Sequence, residues 1–489
     1  MVPPVKNSQG DHEARLRRFF PHRLHESFAS LANLYYIFPQ ILPQPQQRDA
    51  MHILSLFHGL IGLGFVTFLA FLFSADRRAI NWKLVLTGIL LQFGFAFLVI
   101  KTDLGREVFD WISRLFVILF NFAGDGAQFV FGPLAKSSGD SSLGVIFAFQ
   151  VLPTIIFFAS LMAVLYHLGI MQKIVQGMAW AMQRLMRTSG AETLDVAANT
   201  FMGQTEAPLV IRPYLATLTE SELYTIMASG MAHISGGVLA AYMQMLGLAL
   251  AKSQGAAFEE SQVFFAGHLL AASIMAFPAT LVVAKILMPE TGEPMTMGTV
   301  RLKVEKSYGS VIEAAAGGAG DGVRLALNVG GMLIAFIALI ALINALLGFV
   351  GNLTGLNGIL MNQFNKPLNL ELLFGLIFQF IAFIIGVPWK EALEVGSLMG
   401  IKLAVNEFVA YLKMADTVGA GLLSTKSIVI ATYSLCGFAN FSSIAIQIGG
   451  LSPLAENRRS DIARLGLKAV LGGTIATWMT AAIAGLLTH

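Results

Sequence analysis

The feature that most constrains the fold of this chain is a series of long apolar stretches without any Asp, Glu, Lys or Arg. Most of them approach or exceed the roughly 20 residues that an α-helix needs to cross the hydrocarbon core of a bilayer. Only 12% of the 489 residues are charged, whereas soluble domains carry about 25%. The sequence therefore predicts an all-α polytopic membrane protein. The charge-free stretches are 51–74, 84–100, 141–172, 223–251, 261–284, 325–365, 372–389, 427–455 and 469–489.

The segment 192–216 is too polar for a simple crossing, and Pro208 and Pro213 interrupt it. Its centre reads GQTEAP at 203–208, which places a carboxamide, a hydroxyl and the carboxylate of Glu206 side by side. Irregular backbone is tolerated at membrane depth only where protein buries it or a watery cavity solvates it. A charge there costs roughly 2.5–3.5 kcal/mol on insertion scales. We interpret the segment as a re-entrant hairpin with functional side chains at its tip. The alternative is a loop whose carboxylate faces water.

A second broken segment lies in the other half of the chain, at 427–451. Its two apolar arms are short, and its centre, CGFANFSS at 436–443, is polar. It is either a second hairpin or one crossing with an unwound middle. Shortly before it, a helix predicted over 390–414 holds a second acid, Glu407, at membrane depth. Paired interruptions of this kind are the best sequence indication of a transporter binding site near the bilayer midplane.

The polar residues in the second half have competing interpretations. Glu407 is either a ligand-facing carboxylate or an ion-pair partner of Lys402 or Lys413. On a continuous helix of about 3.6 residues per turn both lysines fall on other faces, so we favour the ligand-facing role. Asn440 and Ser443 either line a pocket or form hydrogen bonds between helices, as small polar residues commonly do in membranes.

Several function classes lack support in the sequence. The single Cys436 excludes an intrachain disulfide and a cysteine-based metal cluster. The net charge of +3 gives no indication of nucleic-acid binding. There is no metalloenzyme spacing, nucleophile elbow or phosphate-binding loop. The glycine-rich segment 317–322 lacks the Lys-Ser/Thr pair of such a loop and is interpreted as a flexible or close-packed segment at the membrane edge.

Four motifs, in the same order, resemble those of the concentrative nucleoside transporters. They are GQTEAPLVIRPY at 203–214, GVPWKE at 386–391, NEFVAY at 406–411 and CGFANFSS at 436–443. The resemblance implies about eight transmembrane helices plus two re-entrant hairpins and interfacial helices. It also implies an inverted-repeat transport domain on a trimerisation scaffold, and hence a homotrimer.

With this resemblance the chain divides into five predicted regions. Helices near 105–135 and 171–186 combine aromatic with charged residues, which is typical of interfacial helices. The regions are a polar leader (1–50), the first crossings with an interfacial helix, largely scaffold (51–170), the first half of the transport region with its hairpin around 192–216 (171–288), a polar loop and a long tilted scaffold helix (289–365), and the second half of the transport region with its polar break around 436–443 (366–489).

The resemblance also implies a nucleoside site. A carboxylate suits a ribose because it accepts charge-assisted hydrogen bonds from hydroxyl groups. The implied contacts are Gln204, Thr205 and Glu206 on the nucleobase side, Val238 as an apolar wall, Glu407, Asn440 and Ser443 on the ribose hydroxyls, and Phe438 packed on the ligand.

A coupling cation is implied as well, either Na⁺ or H⁺. The implied sodium site comprises Asn199, the carbonyl of Met202, and the helix break at His233 and Ile234. Many sodium-coupled relatives have Ser or Thr where this chain has His233. A hard cation prefers oxygen ligands over a neutral imidazole, whereas histidine titrates near neutral pH. The sequence leaves the choice of cation open. His233 could also simply form a hydrogen bond inside the bundle.

The predicted function is secondary active uptake of nucleosides by cation symport with elevator-like alternating access. The protein would be a multi-pass protein of the plasma membrane (a bacterial inner membrane) without a cofactor or a nucleic-acid partner. One alternative is a membrane-embedded enzyme that uses Glu206 and Glu407 as an acid/base pair. A second alternative is a passive nucleoside channel.

Overall fold

The computed structural model describes residues 44–136, 146–297 and 308–488. Most of the predicted leader (1–43) and part of the predicted polar loop (298–307) lie outside the described residues. Within those ranges the regular structure is helical. Seven helical segments of the described chain, some of them made of two consecutive helices, are long and apolar enough to cross a membrane, or eight if a sharply bent pair counts as one span. The prediction of an all-α polytopic membrane protein with about eight crossings is confirmed.

The helices are numbered here in chain order along the described residues. They are α1 (Gln44–Leu72), α2 (Trp82–Lys101), α3 (Asp103–Phe131), α4 (Phe147–Gln150), α5 (Leu152–His167), α6 (Ile170–Met186), α7 (Gly190–Asn199), α8 (Glu220–Ala232), α9 (Gly236–Gln254), α10 (Phe258–Leu287), α11 (Val311–Leu353), α12 (Leu356–Phe364), α13 (Leu370–Ile384), α14 (Trp389–Ala404), α15 (Glu407–Gly419), α16 (Thr425–Leu435), α17 (Phe441–Leu451) and α18 (Arg459–Leu487). Short 3-10 helices lie at Gly132–Ala135, Ala207–Thr217, Ser452–Leu454 and Glu456–Arg458.

The two segments predicted to be interfacial helices differ. The 17-residue α6 buries one face and exposes Ile174 and Trp180 on the other, as an interfacial helix does. The 29-residue α3 also has one buried face. Together with the 3-10 turn that follows, however, α3 is long and apolar enough to cross the bilayer. Length and composition do not separate the two placements of α3, so its interfacial position stays a prediction.

The long helix α11 packs along α5 through two glycines. A Cβ atom on Gly318 would lie 2.6 Å from the Cβ of Ala163, and one on Gly322 would lie 2.6 Å from the Cα of Ile156. Both distances are below van der Waals contact, so the two helices approach as closely as they do only because these positions lack side chains. The glycine-rich segment is therefore a close-packed part of a helix that begins well before the predicted apolar stretch.

The described helices repeat one order of elements in the two halves. In the first half, α7 and the 3-10 helix Ala207–Thr217 form a hairpin, α8 and α9 form a broken helix, and α10 is a long helix. In the second half, α14 and α15 occupy the place of the hairpin, α16 and α17 form a broken helix, and α18 is the long helix. The functional side chains predicted from the sequence fall at the interruptions of this repeat.

A buried ion pair fixes the base of the first hairpin. Glu192 closes a capping box with Ser189 at the start of α7. The Nζ of Lys285, near the end of α10, lies 2.7 Å from the Oε2 of Glu192. Lys285 also donates to the hydroxyl of Ser221, 2.8 Å away, in the first turn of α8. The hairpin, the broken helix and the long helix of the first half are thus tied together at one end.

The single helix predicted over 390–414 is wrong, because the structure interrupts it at Val405 and Asn406. The backbone of Asn406 is extended, and its side chain accepts the backbone N–H of Val409 at 2.9 Å. Asn406 is therefore the N-cap of a new helix whose first residue is Glu407. Hydropathy does not reveal this break, because the residues on both sides remain apolar.

The broken segment 427–451 has the contacts of one interrupted crossing. Ile430, before the break, packs on Gly485, whereas Ile444, after it, packs on Gly466. These two glycines are 19 positions apart on α18, which corresponds to about 28 Å along a helix that rises 1.5 Å per residue. The two arms of a hairpin would lie at similar levels of α18. Here α16 and α17 follow each other along it.

The two broken helices touch at their interruptions. Gly437 lies in the break between α16 and α17 with φ +157°. A Cβ atom at this position would lie 2.8 Å from the carbonyl oxygens of Ala232 and Met231, at the end of α8. Glycine is therefore required both by the backbone angle and by the neighbouring backbone.

Candidate ligand-binding site

A cavity of about 180 Å³ lies where these interruptions meet. The tip of the first hairpin, the start of α9, the α14–α15 junction and the α16–α17 break each contribute to its wall, and α11 contributes an apolar side. All eight residues predicted to bind the ligand line this cavity. The full lining is Gly203, Gln204, Thr205, Glu206, Ser235, Val238, Leu325, Val329, Met332, Leu333, Asn406, Glu407, Phe408, Phe438, Asn440, Ser442, Ser443 and Ile446.

Glu407 is the most enclosed acid of the cavity, with an exposed fraction of 6%. The side-chain amide of Asn440 donates to its Oε2 at 3.0 Å, and the hydroxyl of Tyr242 donates to its Oε1 at 3.3 Å. An ionised carboxylate has about four lone-pair positions, so these two bonds leave room for donors from a ligand. The carboxylate can therefore accept hydrogen bonds from a pair of hydroxyl groups.

Neither lysine near Glu407 in sequence forms an ion pair with it. The Nζ of Lys402 donates to the carbonyl of Ser434 at 2.8 Å. The Nζ of Lys413 lies 3.4 Å from the Oε1 of Glu371. The expected ligand-facing placement of Glu407 thus has support from the geometry, although the argument from a continuous helix does not hold, because the helix is broken before Glu407.

Asn440 connects the carboxylate to the start of α17. Its side-chain oxygen accepts the backbone N–H of Ser443 at 2.9 Å and the hydroxyl of Ser442 at 2.7 Å. It is the N-cap of α17. Because the oxygen is used by these donors, the nitrogen must face Glu407. The cap fixes the orientation of both polar groups.

The hairpin tip approaches the same serine from the other side. The side chain of Gln204 donates to the hydroxyl of Ser443 at 3.3 Å. The backbone N–H of Gly203 donates to the Oε2 of Glu206 at 2.5 Å. Unlike Glu407, Glu206 is exposed, because it also borders a larger cavity of about 920 Å³ next to α5, which Tyr166 lines as well. The tip of the hairpin thus lies between the two cavities and contributes to the walls of both.

Sequence reasoning missed Tyr242 and the apolar wall from α11. The wall comes from Leu325, Val329 and Leu333, and nothing in the sequence relates these residues to the motifs. Tyr242 lies one helical turn after Val238, which was predicted. Residues four apart share a helix face, so a search for polar side chains on that face of α9 would have found Tyr242.

The predicted cation residues lie where the first hairpin meets the break between α8 and α9. Asn199 is fully buried in the last turn of α7. Its amide nitrogen donates to Asp195 at 2.9 Å, and its amide oxygen has no partner among the described residues. Met202 follows Phe201, whose carbonyl accepts the N–H of Gly236 at 3.2 Å across the break.

His233 ends α8, directly before Ile234 in the same break. Its Nδ1 lies 2.9 Å from the carbonyl of Ser229, and its buried Nε2 has no partner among the described residues. No group of three or more His, Cys, Asp or Glu side chains in the described part of the chain could hold a metal ion. The unpartnered amide oxygen of Asn199 and the unpartnered Oδ1 of Asp195 are the features here that fit a hard cation.

Comparison with family models identifies the class of protein. Residues 61–134 match the model "Na+ dependent nucleoside transporter N-terminus", residues 268–485 match "Na+ dependent nucleoside transporter C-terminus", and residues 148–249 match "Nucleoside recognition". The matches cover both halves of the repeat. They define a membrane transporter, not an enzyme.

Individual relatives are similar in sequence to this protein along most of its length. The chain is 46% identical over 435 residues to the uncharacterized transporter YutK of Bacillus subtilis, covering 88% of this chain and all of that one. It is 39% identical over 439 residues to the nucleoside permease NupC of Helicobacter pylori, covering 89% and 98%. A solved structure of CNTnw in an inward-facing substrate-bound state is 40% identical, with a TM-score of 0.78 over 88% of this chain and 99% of that one. The chain belongs to the concentrative nucleoside transporter family.

Proposed function

We propose that this protein takes up nucleosides by secondary active transport coupled to a cation. The observation that carries the proposal is the cavity in which Glu407, Asn440 and Ser443 form one hydrogen-bonded group opposite Gln204. Its donors and acceptors match the hydroxyl and amide groups of a nucleoside. The family supports transport of an unaltered solute, whereas the enzyme and channel alternatives have no support in the comparisons.

Within this cavity each side of a nucleoside has suitable partners. Glu407, Asn440 and Ser443 would hold the ribose hydroxyls, because a buried carboxylate accepts from them with charge-assisted strength. Gln204, Thr205 and Glu206 at the hairpin tip would meet the nucleobase, with Val238 and Phe438 as apolar contacts. A sugar without these hydroxyls would leave buried acceptors unpaired and should be rejected.

We predict that Glu407→Gln abolishes ribonucleoside uptake in proteoliposomes while the protein still folds. The amide loses the charge that strengthens hydrogen bonds to ribose, and bonds to charged groups contribute about 1.5–3 kcal/mol each. The matched control is Glu394→Gln, because Glu394 lies on α14 but pairs with Lys366 outside the cavity. Retained uptake by Glu407→Gln, with the control equally active, would count against the proposed site.

The proton is our first candidate for the coupling cation. His233 occupies the helix break where a sodium site would use an oxygen ligand. Its Nδ1 lies against the carbonyl of Ser229, and its buried Nε2 has no partner among the described residues, so this nitrogen can accept a proton. Sodium is the second candidate, because the buried amide oxygen of Asn199 has no donor among the described residues and the family models are named for Na⁺ dependence.

We expect uptake into proteoliposomes to follow an imposed pH gradient and to show weak or no stimulation by sodium. The two gradients are imposed separately at equal membrane potential, and the initial rate of nucleoside uptake is measured. Full dependence on sodium at fixed pH would refute the proton and select the second candidate.

The proposal extends to assembly and location. We propose a homotrimer in the plasma membrane, a bacterial inner membrane, in which the repeat moves against the scaffold formed around α5 and α11. The support is the similarity to CNTnw, whose structures were solved in inward-facing and outward-facing states at TM-scores of 0.78. An elevator-like motion of the repeat would carry the cavity from one side of the membrane to the other.

A further inference from the structure

Lys402 is a buried cation that the proposed binding mechanism does not use. Its exposed fraction is 3%, and it lies in the last turn of α14, just before the break that precedes Glu407. Its Nζ donates to the carbonyl of Ser434 at 2.8 Å and to the hydroxyl of Thr477 at 3.1 Å. Among the described residues it has no ion pair with a carboxylate. A buried ammonium that makes no direct salt bridge is costly, even with the carboxylate of Glu407 close enough to interact with it electrostatically, so its retention calls for a role.

Lys402 and its two partners join three elements of the second half. Lys402 lies at the end of α14, Ser434 in the last turn of α16 before its break, and Thr477 in the middle of α18. Carbonyls at the end of a helix carry partial negative charge and have no intrahelical donor. The ammonium therefore neutralises the carbonyl end of α16 and joins it to the other two elements.

At the level of their breaks, the corresponding elements of the first half meet without an internal cation among the described residues, because Lys285 joins them at the opposite end, near the starts of α7 and α8. The end of α7 supplies Asn199 and Thr200, the end of α8 supplies His233, and the hydroxyl of Ser273 on α10 donates to the carbonyl of Thr200 at 3.1 Å. Here the amide oxygen of Asn199 and one carboxylate oxygen of Asp195 are buried without partners among the described residues. The junction at the ends of α7 and α8 thus has oxygen acceptors without donors, whereas the ammonium of Lys402 occupies the corresponding junction at the ends of α14 and α16.

We propose that Lys402 is a tethered cation, which takes at the second junction of the repeat the place that the mobile coupling cation takes at the first. Beside the breaks, the charge that joins hairpin, broken helix and long helix is covalently attached in the second half and exchangeable in the first. This inference rests on the proposed cation coupling for one corollary, that a single cation moves with each nucleoside. The role of Lys402 itself does not depend on that function.

Chemical rescue tests the tethered cation without any transport measurement. Lys402→Ala removes three methylene groups and the ammonium, which together correspond to n-propylammonium. We expect Lys402→Ala in detergent micelles to unfold at a lower Tm, and n-propylammonium chloride to raise that Tm by several degrees relative to equimolar NaCl, since a ligand that binds only the folded state stabilises it. The wild-type protein and the control Lys413→Ala, at a half-exposed lysine, should show no such rise.

Two comparisons distinguish charge from packing. If 1-propanol restores the Tm as well as n-propylammonium does, or if Lys402→Met keeps the wild-type Tm and uptake, Lys402 only fills space and the proposal is overturned. If Lys402→Ala yields no folded protein, Lys402→Arg and Lys402→Met decide. Folded Arg and unfolded Met variants support a required cation, whereas a folded and active Met variant overturns it.

The number of cations moved per nucleoside provides a second test, which concerns the corollary. The membrane potential at which net nucleoside flux reverses gives the number of cations that move per nucleoside, and we expect one for the wild-type protein. A ratio of two would overturn the corollary. An absence of nucleoside uptake by the wild-type protein would instead refute the proposed function and leave the rescue result standing.

Discussion

At the scale of residues, the position of Glu407 is set by neighbours from three separate helices. Asn406 caps the helix that Glu407 begins, Asn440 caps α17, and Tyr242 reaches in from α9. The amide oxygens of Asn406 and Asn440 are engaged by the helix starts that they cap, and the ring of Tyr242 stacks on Tyr411, so the groups around the carboxylate have little freedom to rotate. A preorganised acceptor loses less entropy when a ligand binds.

We predict that Tyr242→Phe weakens nucleoside binding roughly tenfold while transport remains measurable. The change removes the donor to the Oε1 of Glu407 and loosens the carboxylate, and a hydrogen bond to a charged group contributes about 1.5–3 kcal/mol. The measurement is KM for nucleoside uptake. Tyr224→Phe is the matched control, because its hydroxyl donates to the carbonyl of Lys468 outside the cavity. Equal KM values for the two variants would contradict the prediction.

At the scale of elements, the close approach of α5 and α11 depends on particular glycines. A Cβ atom on Gly322 would meet backbone atoms of Ile156, which cannot move aside as a flexible side chain could. Gly320, on the same helix, has nothing within 4 Å of its Cβ position. A substitution at Gly322 therefore changes both the helix packing and the helix propensity, whereas the same substitution at Gly320 changes the propensity alone.

We predict that Gly322→Val lowers the Tm and the yield of folded protein, whereas Gly320→Val leaves both near the wild-type values. Overpacking of a close contact typically costs about 1–3 kcal/mol, and here backbone would have to separate. Both variants add the same side chain to the same helix, so differences in propensity cancel. A similar Tm for the two would show that α5 and α11 tolerate separation.

The elements also show what the sequence could and could not predict. The residues of the motifs were recovered because each motif is contiguous and its polar groups stand out against an apolar background. Tyr242 and Leu333 were missed because only tertiary packing brings Tyr242 to the carboxylate of Glu407 and Leu333 to the cavity. The break at Asn406 was missed because an asparagine cap changes the hydrogen bonding and leaves the hydropathy unchanged. The start of α11 was missed because its first turns are rich in glycine, which disfavours helices in water.

At the scale of the whole molecule, α11 leaves a long apolar face uncovered within the described chain. Only 11% of its most apolar window is buried, and side chains such as Leu327, Ile334 and Phe349 are exposed. Lipid can cover such a face, and so can neighbouring copies of the chain. The family resemblance favours a scaffold of this kind at the centre of a trimer.

We predict that the purified protein in detergent has a molar mass of roughly three times the 52.6 kDa of one chain, after subtraction of the micelle. Light scattering coupled to size-exclusion chromatography measures it. Substitution of Ile334 by Asp, which places a charge on the uncovered face, should reduce this mass toward that of one chain, whereas Gly331→Ala on the same helix should not. A wild-type mass of one chain would contradict the trimer.

The contact at Gly437 has a mechanical consequence. The interruption of one broken helix rests directly on the main chain that ends α8 in the other half, with no side chain between them to slide or compress. We therefore expect a displacement of either half to displace the other half at this contact. The hairpin tip and the α16–α17 break, which line the cavity from the two halves, should then move together as one rigid body.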